Sequence, residues 1–135
     1  MVLVDTNVLI DVAAEDPVWL GWSGKQLAEL SNRDTLAINP IVYAEFSVHF
    51  DRVEEVEDVL SAFRFERLHL PWEAAFVAGK AFKRYRMRGG KRAAPLPDFF
   101  IGAHAAVAGY QLLTRDVARY RTYFPKLDLL APERD

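Results

Sequence analysis

Four acids in this chain sit where an acid is hard to explain. Asp5 ends the apolar run Val2-Leu3-Val4 in MVLVDTN, and Asp116 stands just past the strand-like QLLT at 111–114. Glu45 lies in INPIVYAEF with Ile41, Val42, Val48 and His49 three or four residues away. On a helix that spacing puts it on or beside an apolar stripe. Asp98 opens DFFIGAHAAVAG, a segment apolar almost all round. Acidic side chains are seldom buried without a partner. Two carboxylates ~4 Å apart repel by roughly 4 kcal/mol at an effective dielectric of about 20. A cluster of them must therefore be partly protonated or must hold a cation. Oxygen donors without nearby cysteine or histidine ligands favour Mg²⁺ or Mn²⁺ over Zn²⁺. Such an ion acidifies a bound water, holds a phosphodiester in line and stabilises the departing oxygen. The chemistry indicated is metal-dependent phosphodiester hydrolysis. Each acid also has a purely structural use. Asp5 and Asp98 can cap helices, Glu45 can pair with His49 or an arginine, and Asp116 can serve a turn.

The elements that would gather these acids are readable from pattern. Val2–Val4, 35–39, 66–70, 111–114 and 127–132 read as strands. Between them lie helical segments after Asp5, over Trp19–Leu30 with Leu20, Leu27 and Leu30 inward, from Pro40 to about Phe50, over Val53–Phe63, from Trp72 to about Arg88, and over Asp98–Gly109. Asn39-Pro40 is a capping residue followed by proline at the first helical position. Residues 115–124 read as a turn or short helix. Alternating strands and helices predict an α/β fold with a parallel sheet and right-handed crossovers. In such sheets ligands bind beyond the carboxyl ends of the strands, where strand order switches. Asp5, Thr114 and Asp116 meet there if the first and fourth strands are neighbours.

The 135 residues suit one domain spanning 1–135, able to bury roughly two-thirds of its unfolded surface. There is no cysteine, which excludes disulfides and thiolate metal sites. Neither a signal-like start nor a run of ~18 apolar residues is present, so a soluble, cytoplasmic protein without a membrane span is expected. The net charge of −2 is unremarkable, but its distribution is uneven. Lys80, Lys83, Arg84, Arg86, Arg88, Lys91 and Arg92 follow one another without an intervening acid. Gly89-Gly90 breaks this run, which leads into PLPD. A basic loop beside an acid, with Arg86, Arg88, Lys91 and Arg92, is suited to gripping a phosphate backbone. The acidic run 51–59 reads as a solvated face.

The segments VLVDTNVLID, INPIVYAEF, PLPDFFIGAHA and LLTRD, in that order over nearly the whole chain, resemble the PIN-domain ribonucleases, specifically VapC toxins of toxin–antitoxin pairs. YRMRGGKRAAPLPD and RYRTYFP resemble the loop and tail of many members. The resemblance implies a three-layer fold around a five-stranded parallel sheet of order 3-2-1-4-5, and an acidic site at Asp5, Glu45, Asp98 and Asp116. It implies Asp5 and Asp98 as ligands to Mg²⁺ or Mn²⁺, Asp116 as a ligand acting through water, and Glu45 as ligand or proton acceptor. Thr6, Asn7 and Thr114 would orient waters or carboxylates, and Arg115 would contact substrate phosphate. RNA is the implied substrate, a cognate VapB-like antitoxin the partner and a homodimer the assembly. Trp19 and Trp22 either pack in the core or line a dimer or antitoxin groove.

Other classes fit less well. An aspartyl phosphatase wants an acid two residues after its nucleophile, where Asn7 stands. A receiver domain wants paired acids after the first strand and a lysine ending the last. A non-catalytic PIN module is opposed by the complete set of acids.

Overall fold

The computed structural model describes residues 1–90 and 96–133. Five short strands, β1 (Val2–Val4), β2 (Leu36–Ile38), β3 (Phe65–Arg67), β4 (Gln111–Leu113) and β5 (Leu129–Leu130), form one parallel sheet in the order 3-2-1-4-5. β1 is central and fully buried, and β4 is largely so. Strands covered on both faces read as continuous apolar runs, as VLV does.

Seven helices connect the strands: α1 (Thr6–Ala13), α2 (Leu20–Arg33), α3 (Pro40–Ser47), α4 (Val53–Leu60), α5 (Trp72–Met87), α6 (Leu96–Ala108) and α7 (Val117–Tyr123). The chain steps outward from β1 to β2 and β3, then returns to the far side of β1 as β4 and β5. Strand order therefore reverses at β1, and the loops after β1 and β4 open a crevice between them. Val2, Leu3 and Val4 face Gln111, Leu112 and Leu113 in register. The Asp5 amide continues the ladder by donating to the Leu113 carbonyl at 2.9 Å.

Several boundaries differ from the sequence pattern. α6 begins at Leu96, so Asp98 lies in its first turn and does not cap it. β3 ends at Arg67, although the Leu68 amide still donates to the Ile38 carbonyl. Leu20, expected inward, is exposed at the first position of α2, while Leu27 and Leu30 are buried about two and three turns on. Residues 115–124 do contain a helix, α7, and its seat on α6 is tight. A Cβ on Gly102 would come within 2.7 Å of the Phe124 ring and 3.0 Å of the Tyr120 ring. Glycine at 102 is what lets these two aromatics of the last crossover lie against α6. Among the described residues no helix is long and apolar enough to cross a membrane.

Candidate active site

Each acid reaches the crevice for a local reason. Asp5 is carried there by β1 and caps α1, accepting from the Thr6 amide at 2.8 Å through Oδ1. Its other oxygen accepts from the Thr114 hydroxyl at 2.8 Å and the Tyr120 hydroxyl at 3.0 Å, with the Asn7 amide at 3.4 Å. Asn7 also donates to Thr114, and Thr114 accepts from the Asp116 amide at 3.0 Å. Glu45 projects from α3 and accepts from the Thr6 hydroxyl at 2.8 Å. Thr6, Asn7 and Thr114 thus fix the carboxylates rather than project into the crevice as independent ligands.

α3 and α6, which carry Glu45 and Asp98, are cross-linked behind the site. Asn39 caps α3, its carbonyl oxygen accepting from the Val42 amide at 2.9 Å. That bond orients the Asn39 side chain so that its NH₂ meets Nδ1 of buried His104 at 3.0 Å. Burial lowers the His104 pKa, so the ring is neutral and Nδ1 is the acceptor.

One oxygen from each of Asp5, Glu45 and Asp98 lies within 4.8 Å of the other two. All four acids line one open cleft, whose wall is completed by Thr6, Asn7, Ile10, Val48 and His49. Asp116 is more open than Asp98, their side chains being 40% and 18% exposed. Burial raises the Asp5 pKa to about 7, helped by the charge of Asp98 and opposed by the Thr114, Tyr120 and Thr6 hydrogen bonds. Burial likewise raises Asp98 to about 6; the Arg119 charge opposes this, and Glu45 adds to it. Tyr120 is pushed well above the usual phenol range by burial and then by Asp5, so it remains a hydroxyl donor.

Two residues of α7 were not singled out from the sequence as site residues. Tyr120 is fully buried and donates to Asp5. Arg119 donates to Asp98 and lies 3.4 Å from Asp116. RYRTYFP contains Tyr120, yet a segment of alternating arginine and tyrosine does not reveal which side chain turns inward.

Arg115 differs from its expected role. Its guanidinium makes two 2.8 Å bonds to Asp11 and lies over the Trp19 ring at 5.3 Å. Asp11 is buried and also accepts from Ser23 at 2.7 Å. The group expected at substrate phosphate is thus committed to bracing α1 and α2 against the loop after β4. Asp11→Ala is expected to cost about 2 kcal/mol of unfolding free energy, measured by urea denaturation, because the arginine and Ser23 lose a shared partner. Trp22 meets Trp19 edge-on at 6.1 Å, and both are half-buried. Arg86 and Arg88 are exposed at the end of α5, Arg88 over the Tyr123 ring at 5.7 Å. Lys91 and Arg92 lie outside the described residues.

This donor set fits a hard divalent cation. It consists of carboxylate oxygens from three separate elements; Asp5 and Glu45 are pre-oriented by neutral donors and form no ion pair among the described residues, while Asp98 is held by Arg119.

The family model for the PIN domain matches residues 2–125. No curated protein matches the chain. Among solved structures, VapBC2 from Rickettsia felis, bound to a DNA fragment from its promoter, is similar at TM-score 0.75. It is 22% identical, over 98% of this chain and 100% of that one. A toxin–antitoxin complex from Klebsiella pneumoniae is similar at 0.70 and 20% identity over 100% of both chains. VapC20 from Mycobacterium tuberculosis, a sarcin–ricin loop cleaving toxin, is similar at 0.59 and 14% identity, over 83% of this chain and 87% of that one. With a match over nearly its whole length, and the strand order and crevice described above, the chain belongs to the PIN domain family.

Proposed function

We propose that this protein is a VapC-type toxin, a Mg²⁺- or Mn²⁺-dependent endoribonuclease of the cytoplasm restrained by a VapB-like antitoxin. The observation that carries the reading is the gathering of Asp5, Glu45 and Asp98 into one cluster in which, among the described residues, only Asp98 has an ion-pair partner. Toxin–antitoxin complexes among the structural neighbours support the partner, and the sarcin–ricin loop cleaving toxin supports RNA as substrate.

Asp5 and Asp98 hold the ion, with Asp116 acting through water. When bound, the ion supplies an acidified water and charge stabilisation at the leaving oxygen. Glu45, aimed by the Thr6 hydroxyl, accepts the proton of the attacking water. Thr114, Asn7 and Tyr120 keep the Asp5 carboxylate from turning. Arg86 and Arg88, with Lys91 and Arg92, bind the RNA backbone.

Labelled RNA incubated with the protein and Mg²⁺ or Mn²⁺ is expected to be cut, and EDTA to stop the reaction. Cleavage that persists in EDTA, or its absence with either ion, would overturn the proposal.

The protein also acts as a homodimer in this reading. Trp72 and Phe76, one turn apart on α5, are 91% and 67% exposed, a pair of bulky apolar side chains available to a second copy. Phe76→Glu is expected to convert a dimer to a monomer in sedimentation experiments, whereas an unchanged mass would remove α5 from the interface.

A further inference from the structure

Arg119 holds two of the four acids at once. Its Nη1 donates to Oδ2 of Asp98 and lies 3.4 Å from Oδ2 of Asp116. The other nearby arginine, Arg115, is bound to Asp11. Asp5 and Glu45 receive hydrogen bonds from amides and hydroxyls alone among the described residues. Among the described residues Arg119 therefore makes the only ion pairs to the cluster, one paired charge against four, while Arg115 acts on Asp116 only through space.

A guanidinium keeps its proton at any working pH, so this one can release the acids only by moving. The pair reaches solvent: the Arg119 side chain is 28% exposed and that of its partner Asp116 40%. The backbone beneath it is held independently, because the next residue, Tyr120, is buried and bonded to Asp5. A divalent cation drawn to Asp98 and the guanidinium already there carry like charge and compete for the same carboxylate. Once released, the guanidinium still presents its planar fork of donors, suited to a phosphate.

We propose that Arg119 is an exchangeable internal counter-ion: it clamps Asp98 and Asp116 in the metal-free protein, gives up Asp98 to an entering divalent cation, and then binds a phosphate of the substrate at the mouth of the cleft. The exchange concerns this chain's own carboxylates, while the phosphate contact rests on the nuclease reading above. A permanent strut is the competing account, and it predicts the opposite sign. If Arg119 merely orders Asp98, its loss weakens metal binding; if it competes, its loss strengthens it.

Mn²⁺ binding without RNA, followed by the electron paramagnetic resonance signal of the free ion, separates the two. Arg119→Ala is expected to bind Mn²⁺ about five- to tenfold more tightly than wild type, the scale of one partly screened charge interaction. Arg119→Gln, which keeps a polar side chain in place, is expected to show the same direction. Binding of a labelled RNA oligonucleotide in Ca²⁺ is expected to weaken about tenfold in both variants, with a salt slope lower by about one. Mn²⁺ affinity that is unchanged or weaker in both variants overturns the proposal, as does an unchanged RNA affinity or a wild type that binds no Mn²⁺. RNA cleavage by wild type together with weakened Mn²⁺ binding in the variants rejects this inference and leaves the nuclease reading intact. Tightened Mn²⁺ binding in a protein that cuts no RNA does the reverse for the exchange.

Discussion

Asp98→Asn is expected to lower RNA cleavage by about three orders of magnitude or more, with little change in fold. Asparagine has the shape of aspartate and keeps one oxygen, but it removes the negative charge that draws the ion in. Asp98 sits where α3, α6 and α7 converge, between Glu45 and Arg119, so no neighbour can take over its position. The variant should melt no earlier than wild type in EDTA, because burial disfavours the very charge that is deleted. Single-turnover cleavage of labelled RNA measures the first effect and thermal denaturation the second. Retained cleavage with an intact fold would remove Asp98 from the reaction.

The second large effect is a pH dependence that metal should abolish. In the folded, metal-free protein the Asp5 carboxyl has a pKa of about 7 against 3.8 for the free side chain. Between those values the folded state keeps a proton that the unfolded chain has released, so stability falls as pH rises through the interval. The group's contribution is fully present below about pH 4 and gone above about pH 7. From pH 5 to pH 8 in EDTA, wild type is expected to lose about 4 kcal/mol of unfolding free energy, about 2.7 from Asp5 and about 1.4 from Asp98. Asp5→Asn should lose far less. Mn²⁺ at about one hundred times its Kd should return about 2.7 kcal/mol at pH 8, because it binds the folded carboxylates. Urea denaturation at a series of pH values tests this. Superimposable curves for the two proteins in EDTA would show that Asp5 is not the strained acid.

The sheet was legible because β1 is an unbroken run of β-branched and aliphatic residues ended by Asp5, and β4 carries Leu112 and Leu113 between Gln111 and Thr114. Their order came from the family resemblance, since periodicity does not say which strands pair. Asp5, Glu45 and Asp98 stood out because each interrupts an apolar pattern, and such interruptions survive in sequence whatever the tertiary arrangement. Arg119 and Tyr120 did not stand out. They lie in a seven-residue helix, too short for one apolar face to be recognised, and Tyr120 points inward only because Gly102 on another helix makes room. Arg115 looked like a partner for the site because it adjoins Asp116. In a turn, however, neighbouring side chains diverge, and its carboxylate partner lies 104 positions away. The start of α6 was misplaced for a related reason: Asp98 is a good capping residue, and Pro97 suits a helix start equally well.

The pairing of the first strand with the fourth has a consequence for how the protein comes into being. The Thr114 hydrogen bond that holds Asp5 spans 109 residues, and that of Tyr120 spans 115. Near the amino end only the Thr6 amide and the Asn7 side chain support Asp5. During synthesis the first acid therefore lacks its hydroxyl donors until nearly the whole polypeptide has left the ribosome. A chain cut short before Thr114 cannot complete the cluster, which is assembled in a single late step.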